Sequence, residues 1–65
     1  MSEPDRLKAR IIDELEQNRH THASLRHVLS EEYGYSDAAV SAAISALNDE
    51  GKIKHEQGVF ELTDD

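Results

Sequence analysis

Leu7, Ile11, Ile12 and Leu15 recur at spacings of three and four, while Arg6, Arg10, Asp13, Glu14 and Glu16 occupy the positions around them. One apolar stripe opposite one charged face is the pattern of a surface helix. Its start is marked by Ser2-Glu3-Pro4-Asp5: Ser2 offers a cap, Pro4 suits the first turn and Asp5 completes a capping-box spacing. Asn18 offers a left-handed stop. A second stripe, Leu25, Val28 and Leu29, opens at Thr21 or His22 and is closed by Gly34 between Tyr33 and Tyr35. A third, Val40, Ala43, Ile44 and Leu47, follows Ser36, a preferred N-cap type, with Asp37 in the first turn where negative charge is favoured. Gly51 stops it.

Beyond Gly51 the period changes. Ile53 lies between Lys52 and Lys54, Glu56-Gln57-Gly58 supplies turn chemistry, and Val59 to Leu62 returns as a second strand. The expected architecture is α+β, mostly α: one domain over residues 1–65 with helices at about 3–17, 22–33 and 37–49. A short two-stranded antiparallel wing follows at about 52–55 and 59–63, and Asp64 and Asp65 form an acidic end. Three amphipathic helices on short connections need a common core, and a lone hairpin is marginal in water. Ile53, Phe60 and Leu62 are therefore expected to seat the wing on the helices.

Composition narrows the chemistry. With 65 residues and no cysteine, neither a disulfide nor a cysteine-based zinc site can brace the chain. The start is charged and polar rather than apolar, and no stretch approaches the ~20 apolar residues that span a bilayer. A soluble cytoplasmic protein without a membrane partner is expected. Nothing resembles a nucleophile elbow, and Gly34, Gly51 and Gly58 form no phosphate-cradling loop, so no enzyme, catalytic residue or cofactor is expected. His20, His22 and His27 have imidazoles but no evident fourth ligand, so no metal is expected either. Fourteen acidic against seven basic side chains give a formal charge of −7, which on average repels nucleic acid.

The run from Leu25 and Leu29 through Tyr35-Ser36-Asp37-Ala38-Ala39-Val40 to Ala43-Ile44-Ser45-Ala46-Leu47 resembles the winged helix-turn-helix family of DNA-binding transcription regulators. Ser36 matches the residue that caps the recognition helix, and Val40, Ile44 and Leu47 match its buried positions. Glu50-Gly51-Lys52-Ile53 matches the helix-to-wing junction, and Val59-Phe60-Glu61-Leu62-Thr63 resembles the returning strand with its Leu-Thr pair. The resemblance covers nearly the whole chain. It implies double-stranded DNA as partner, with the third helix in the major groove and the wing on the backbone.

Carried onto this sequence, the groove-facing positions are Asp37, Ala38, Ser41, Ala42 and Ser45, with Ala46 at the margin. None is basic, the arginine and lysine that read guanine are missing, and Asp37 opposes phosphate. Positive charge lies to either side: Arg19, His20, His22, Arg26 and His27 near the start of the second helix, and Lys52, Lys54 and His55 on the wing. Arg19, Arg26, Lys52 and Lys54 are the expected phosphate holders, with His22 and His55 beside them. The Ala/Ser-rich face of the third helix fits an alternative, a protein-interaction module that does not bind DNA directly. The family often dimerises through a helix after the Leu-Thr pair. This sequence stops at Asp65, so a homodimer is expected to use the first or third helix.

Overall fold

The structure, a computed structural model, describes residues 3–63. The expected Ser2 cap and the Asp64-Asp65 end lie outside the described residues. Helix α1 runs Glu3–Gln17, strand β1 His20–Thr21, α2 His22–Tyr33, α3 Asp37–Asp49, β2 Ile53–Glu56 and β3 Val59–Leu62. The three helices and the β2–β3 wing form a winged helix-turn-helix arrangement. All three apolar stripes meet in one core: Leu7, Ile11 and Leu15 from α1, Leu25 and Leu29 from α2, and Val40, Ala43, Ile44 and Leu47 from α3. Ile53 and Phe60 join them from the wing, with Ile12, Tyr35 and Leu62 packed at the edge.

Local chemistry sets the ends of the helices. Thr21 caps α2, its side-chain oxygen accepting from the Ser24 N–H at 3.1 Å. Ser36 caps α3 in the same way, accepting from Ala39 N–H at 3.2 Å. Each such cap is worth ~1 kcal/mol. At the far end of α3, Lys52 N–H donates to the Leu47 carbonyl and Gly51 N–H to that of Asn48, both at 3.0 Å. With Gly51 at φ +76° this is a Schellman ending, and it aims the chain directly into β2. Asn18 does not act as the left-handed stop expected of it, since among the described residues Gln57 is the sole non-glycine with positive φ. Its N–H still donates to the Glu14 carbonyl at 3.0 Å, and the chain leaves α1 extended because β1 begins two residues later.

β1 was not legible in the sequence. Two residues long, it pairs with β3 and turns the wing into a three-stranded antiparallel sheet of order β1-β3-β2. His20 and His55 lie opposite Phe60 from either side, and Lys54 lies opposite Glu61. Side chains alternate across a strand. One face of the sheet therefore brings Ile53 and Phe60 to the core, while the other presents Lys54 and Glu61 outward. Thr63 locks the end of β3: its N–H donates to the Lys52 carbonyl at 3.2 Å and its hydroxyl to that of Gly51 at 2.9 Å. The Leu-Thr pair thus ties the wing to the exit of α3.

Candidate nucleic-acid interface

The buried positions of α3 occupy one side of the helix, which turns Ala38, Ser41, Ala42 and Ser45 away from the core. Ala38, Ala42 and Ser45 are exposed and Ser41 is half-buried. Nothing longer than serine projects from this stretch, so the helix backbone itself can approach a partner closely. Ala42 also belongs to a second surface. With Leu7, Tyr35, Ala39, Ala43 and Ala46 it lines an apolar groove of about 370 Å³ between α1 and α3, at whose edge stands Lys8.

The cations beside this face are not free. Arg26 Nη1 lies 3.5 Å from the Asp37 carboxylate, and its Nε is buried without a hydrogen-bond partner. Lys52 Nζ is 3.9 Å from Glu50. Lys54 lies between two carboxylates, 3.2 Å from Glu56 and 3.4 Å from Glu61. Hydrogen bonding to Glu56 is the main reason its pKa stands above the ordinary 10.5, with Glu61 adding to the effect. Glu61 also reaches Arg19, at 3.8 Å. Each expected phosphate holder thus has a carboxylate within 4 Å.

The histidines serve different surroundings. His55 stacks on Phe60 with ring centroids 4.3 Å apart and planes 17° from parallel, and His22 meets the same ring at 5.9 Å in a tilted arrangement. Both therefore support the ring that anchors the wing. His20 Nδ1 is 3.0 Å from Ser24 Oγ, and its Nε2 faces Glu14 at 3.4 Å without hydrogen-bond geometry. His27 is exposed and shares a shallow cleft with Ala23, Arg26, Ser30 and Asp37. The basic groups read as one cluster around the start of α2 are thus divided among the outer face of the sheet, the α1–α2 junction and the α2–α3 cleft. Among the described residues no group of three His, Cys, Asp or Glu is placed to hold a metal ion. Among the described residues no helix is long and apolar enough to cross a membrane.

Sequence reasoning missed Glu50, Glu56 and Glu61 as partners of these cations. Glu61 was within reach: a two-residue turn at Gln57-Gly58 fixes the register and sets it opposite Lys54. Glu50 was not, because its geometry depends on how α3 ends.

Element order, core and wing define a winged-helix protein. No protein-family model matches the chain, and no curated protein matches its sequence. Its structure is similar to the crystal structure of Bacillus subtilis PadR, with a TM-score of 0.80 and 18% sequence identity over 97% of this chain. The match spans 38% of the PadR chain. At that identity the likeness establishes the fold.

Proposed function

We propose that this chain is a DNA-binding transcription regulator in which α3 enters the major groove while Arg19, Arg26, Lys52 and Lys54 hold backbone phosphates. The observation that carries this reading is the outward face of α3, free of core duties and lined only by small side chains on a winged-helix frame. Ala38, Ser41, Ala42 and Ser45 offer methyl and hydroxyl contacts to base edges, with Asp37 at the helix start and His22 and His55 bracing the wing. Serine and alanine discriminate bases weakly, so recognition rests on backbone position and DNA shape. The carboxylates beside the four cations must be displaced by phosphate, which keeps affinity modest.

Titration with mixed-sequence duplex DNA at low salt, followed by amide chemical shifts, tests this. Shift changes are expected along α3 and the wing. Four displaced counterions give a log–log salt slope of about −3.6. Unmoved signals in both elements at low salt would dispose of the reading.

The apolar groove favours a second reading, a protein-docking module in which a partner helix lies along α3. Such a partner would shift Leu7 and Ala39, which line the groove but are not among the DNA-facing positions, and would leave the wing cations unmoved.

A further inference from the structure

The groove between α1 and α3 has an apolar lining and an acidic rim. Leu7 and Ala43 are buried in it, with Tyr35 half-buried beside them. Ala39, Ala42 and Ala46 line it along α3 at spacings of three and four, and none projects beyond a methyl group. A helix laid there can come within about 8 Å of the α3 axis, the near end of the usual range for packed helices. The cavity of about 370 Å³ then receives the apolar side chains that such a helix presents at the same spacings.

Charge decides what kind of helix fits. Asp49 stands three residues beyond Ala46, in phase with the alanine stripe; it is exposed and, among the described residues, makes no ion pair. Glu50, the next residue, holds Lys8 at the edge of the groove. The Lys8 hydrogen bond keeps the Glu50 carboxyl below its usual 4.5, and the charge of the exposed Asp5 acts on the same carboxylate in the opposite sense. Three carboxylates thus gather at this end of the groove around one ammonium, which Glu50 already binds. A second copy of the chain, at −7, meets that rim with like charge, and so does duplex DNA. Lysine and arginine flanking an apolar ridge meet it with opposite charge. We propose that the groove takes a cationic amphipathic helix of a different protein, its apolar ridge along Ala39–Ala46 and its basic side chains on Asp5, Asp49 and Glu50; this rests on the reading of the groove as a docking surface.

Two synthetic helical peptides of ~15 residues, titrated into the isotope-labelled full chain, are the test. Both carry a stripe of leucine and alanine, flanked in one by lysine and in the other by glutamine. At ~0.15 M salt the lysine peptide is expected to shift the Leu7 and Ala39 amides. It should bind about tenfold more tightly than the glutamine peptide, the scale of two to three exposed ion pairs. Asp5→Lys with Asp49→Lys should remove that preference while circular dichroism shows an intact fold. Asp13→Lys with Glu16→Lys, outside the groove, changes the net charge equally and should leave the preference in place. A glutamine peptide that binds as tightly as the lysine peptide overturns the cationic partner and leaves the docking reading standing. Unmoved Leu7 and Ala39 signals with either peptide up to ~1 mM overturn both. A preference that survives the first double variant, or falls equally with the second, belongs to the net charge and also overturns the proposal. Should a variant fail to fold, the two peptides on the wild-type chain, mapped at Leu7 and Ala39, decide alone.

Discussion

Asp37, the first residue of α3, sets its carboxylate 3.5 Å from the Arg26 guanidinium of α2. The acid has two effects that oppose each other. At the helix start it stabilises the fold by its interaction with the helix dipole, and beside Arg26 it competes with any incoming anion. Asp37→Asn should separate them. Losing the dipole interaction costs ~0.3–1 kcal/mol of stability. Freeing Arg26 should tighten duplex DNA binding by about 2–5-fold, the scale of a surface ion pair. Fluorescence anisotropy with labelled duplex and thermal melting measure the two effects. Unchanged or weaker DNA affinity would count against Arg26 as a phosphate holder.

On the proposed reading Glu61 would be a second such brake, since it stands beside two cations at once: Arg19 at 3.8 Å and Lys54 at 3.4 Å. Glu61→Gln keeps the shape and removes the charge, so its gain in DNA affinity should equal or exceed that of Asp37→Asn. The two changes lie in different elements and should add, which a double variant in the same anisotropy assay checks.

Phe60 carries more of the fold than its position near the end of the chain suggests. It is 5% exposed, faces His20 and His55 across the strands, stacks on the His55 ring and touches His22. Phe60→Ala removes the ring that seats the whole sheet on the helices, at a cost of about 3–5 kcal/mol. A chain of 65 residues has little stability beyond that. Urea denaturation should find the variant largely unfolded at 25 °C. A cooperative melt close to wild type would mean the wing is not part of the core.

These dependencies explain what could be read in advance. The helices were legible because each stripe keeps its period and each start carries a capping residue, Thr21 and Ser36 above all. The wing was legible because Gly51 ends one period and Gln57-Gly58 turns another. β1 was not, since two residues have no periodicity and exist as a strand only through pairing with β3. The candidate site divided along the same line. Ala38, Ser41, Ala42 and Ser45 follow from helical phase and the hairpin register sets Glu61 opposite Lys54, whereas the pairing of Arg26 with Asp37 and of Arg19 with Glu61 depends on tertiary distances that charge counts do not contain. The net charge of −7 was the one hint, and it gave the sign without the places.

Glu50 links the two ends of the helical layer: Lys8 of α1 donates to its carboxylate at 2.5 Å, just where α3 passes into the wing. That hydrogen bond is the main reason its pKa falls below the usual 4.5, with the charges of Lys8 and Lys52 assisting against partial desolvation. A carboxyl with a depressed folded value stabilises the fold above its unfolded pKa and loses that contribution as pH falls through the folded value. The effect is therefore complete at neutral pH and disappears below about pH 4.5. Carbon-detected titration of Glu50 should give a midpoint below 4.5. Lys8→Met should move it back toward that value, and an unmoved midpoint would assign the shift to another cause.

The turn between β2 and β3 fixes the register on which the outer sheet face depends. Gln57 and Gly58 have φ of +53° and +82°, and two positive values in succession are the signature of a type I′ hairpin. Gly58 accepts this without strain. Gln57 does not, and asparagine is better suited to that position. Gln57→Asn should stabilise the chain by roughly 0.5–1 kcal/mol, and Gly58→Ala should destabilise it by roughly 1–2 kcal/mol. Beyond Gly58 and its two chain neighbours no heavy atom lies within 4 Å of where the new Cβ would stand, so the cost comes from backbone conformation rather than collision. In urea both variants should change the midpoint and leave the slope alone. In domains of this size 1 kcal/mol corresponds to about 4–8 °C in melting temperature, so the two shifts should be well separated and opposite in sign. If Gly58→Ala melts with the wild type, the turn does not hold the register, and the pairing of Lys54 with Glu61 must be set by the sheet itself.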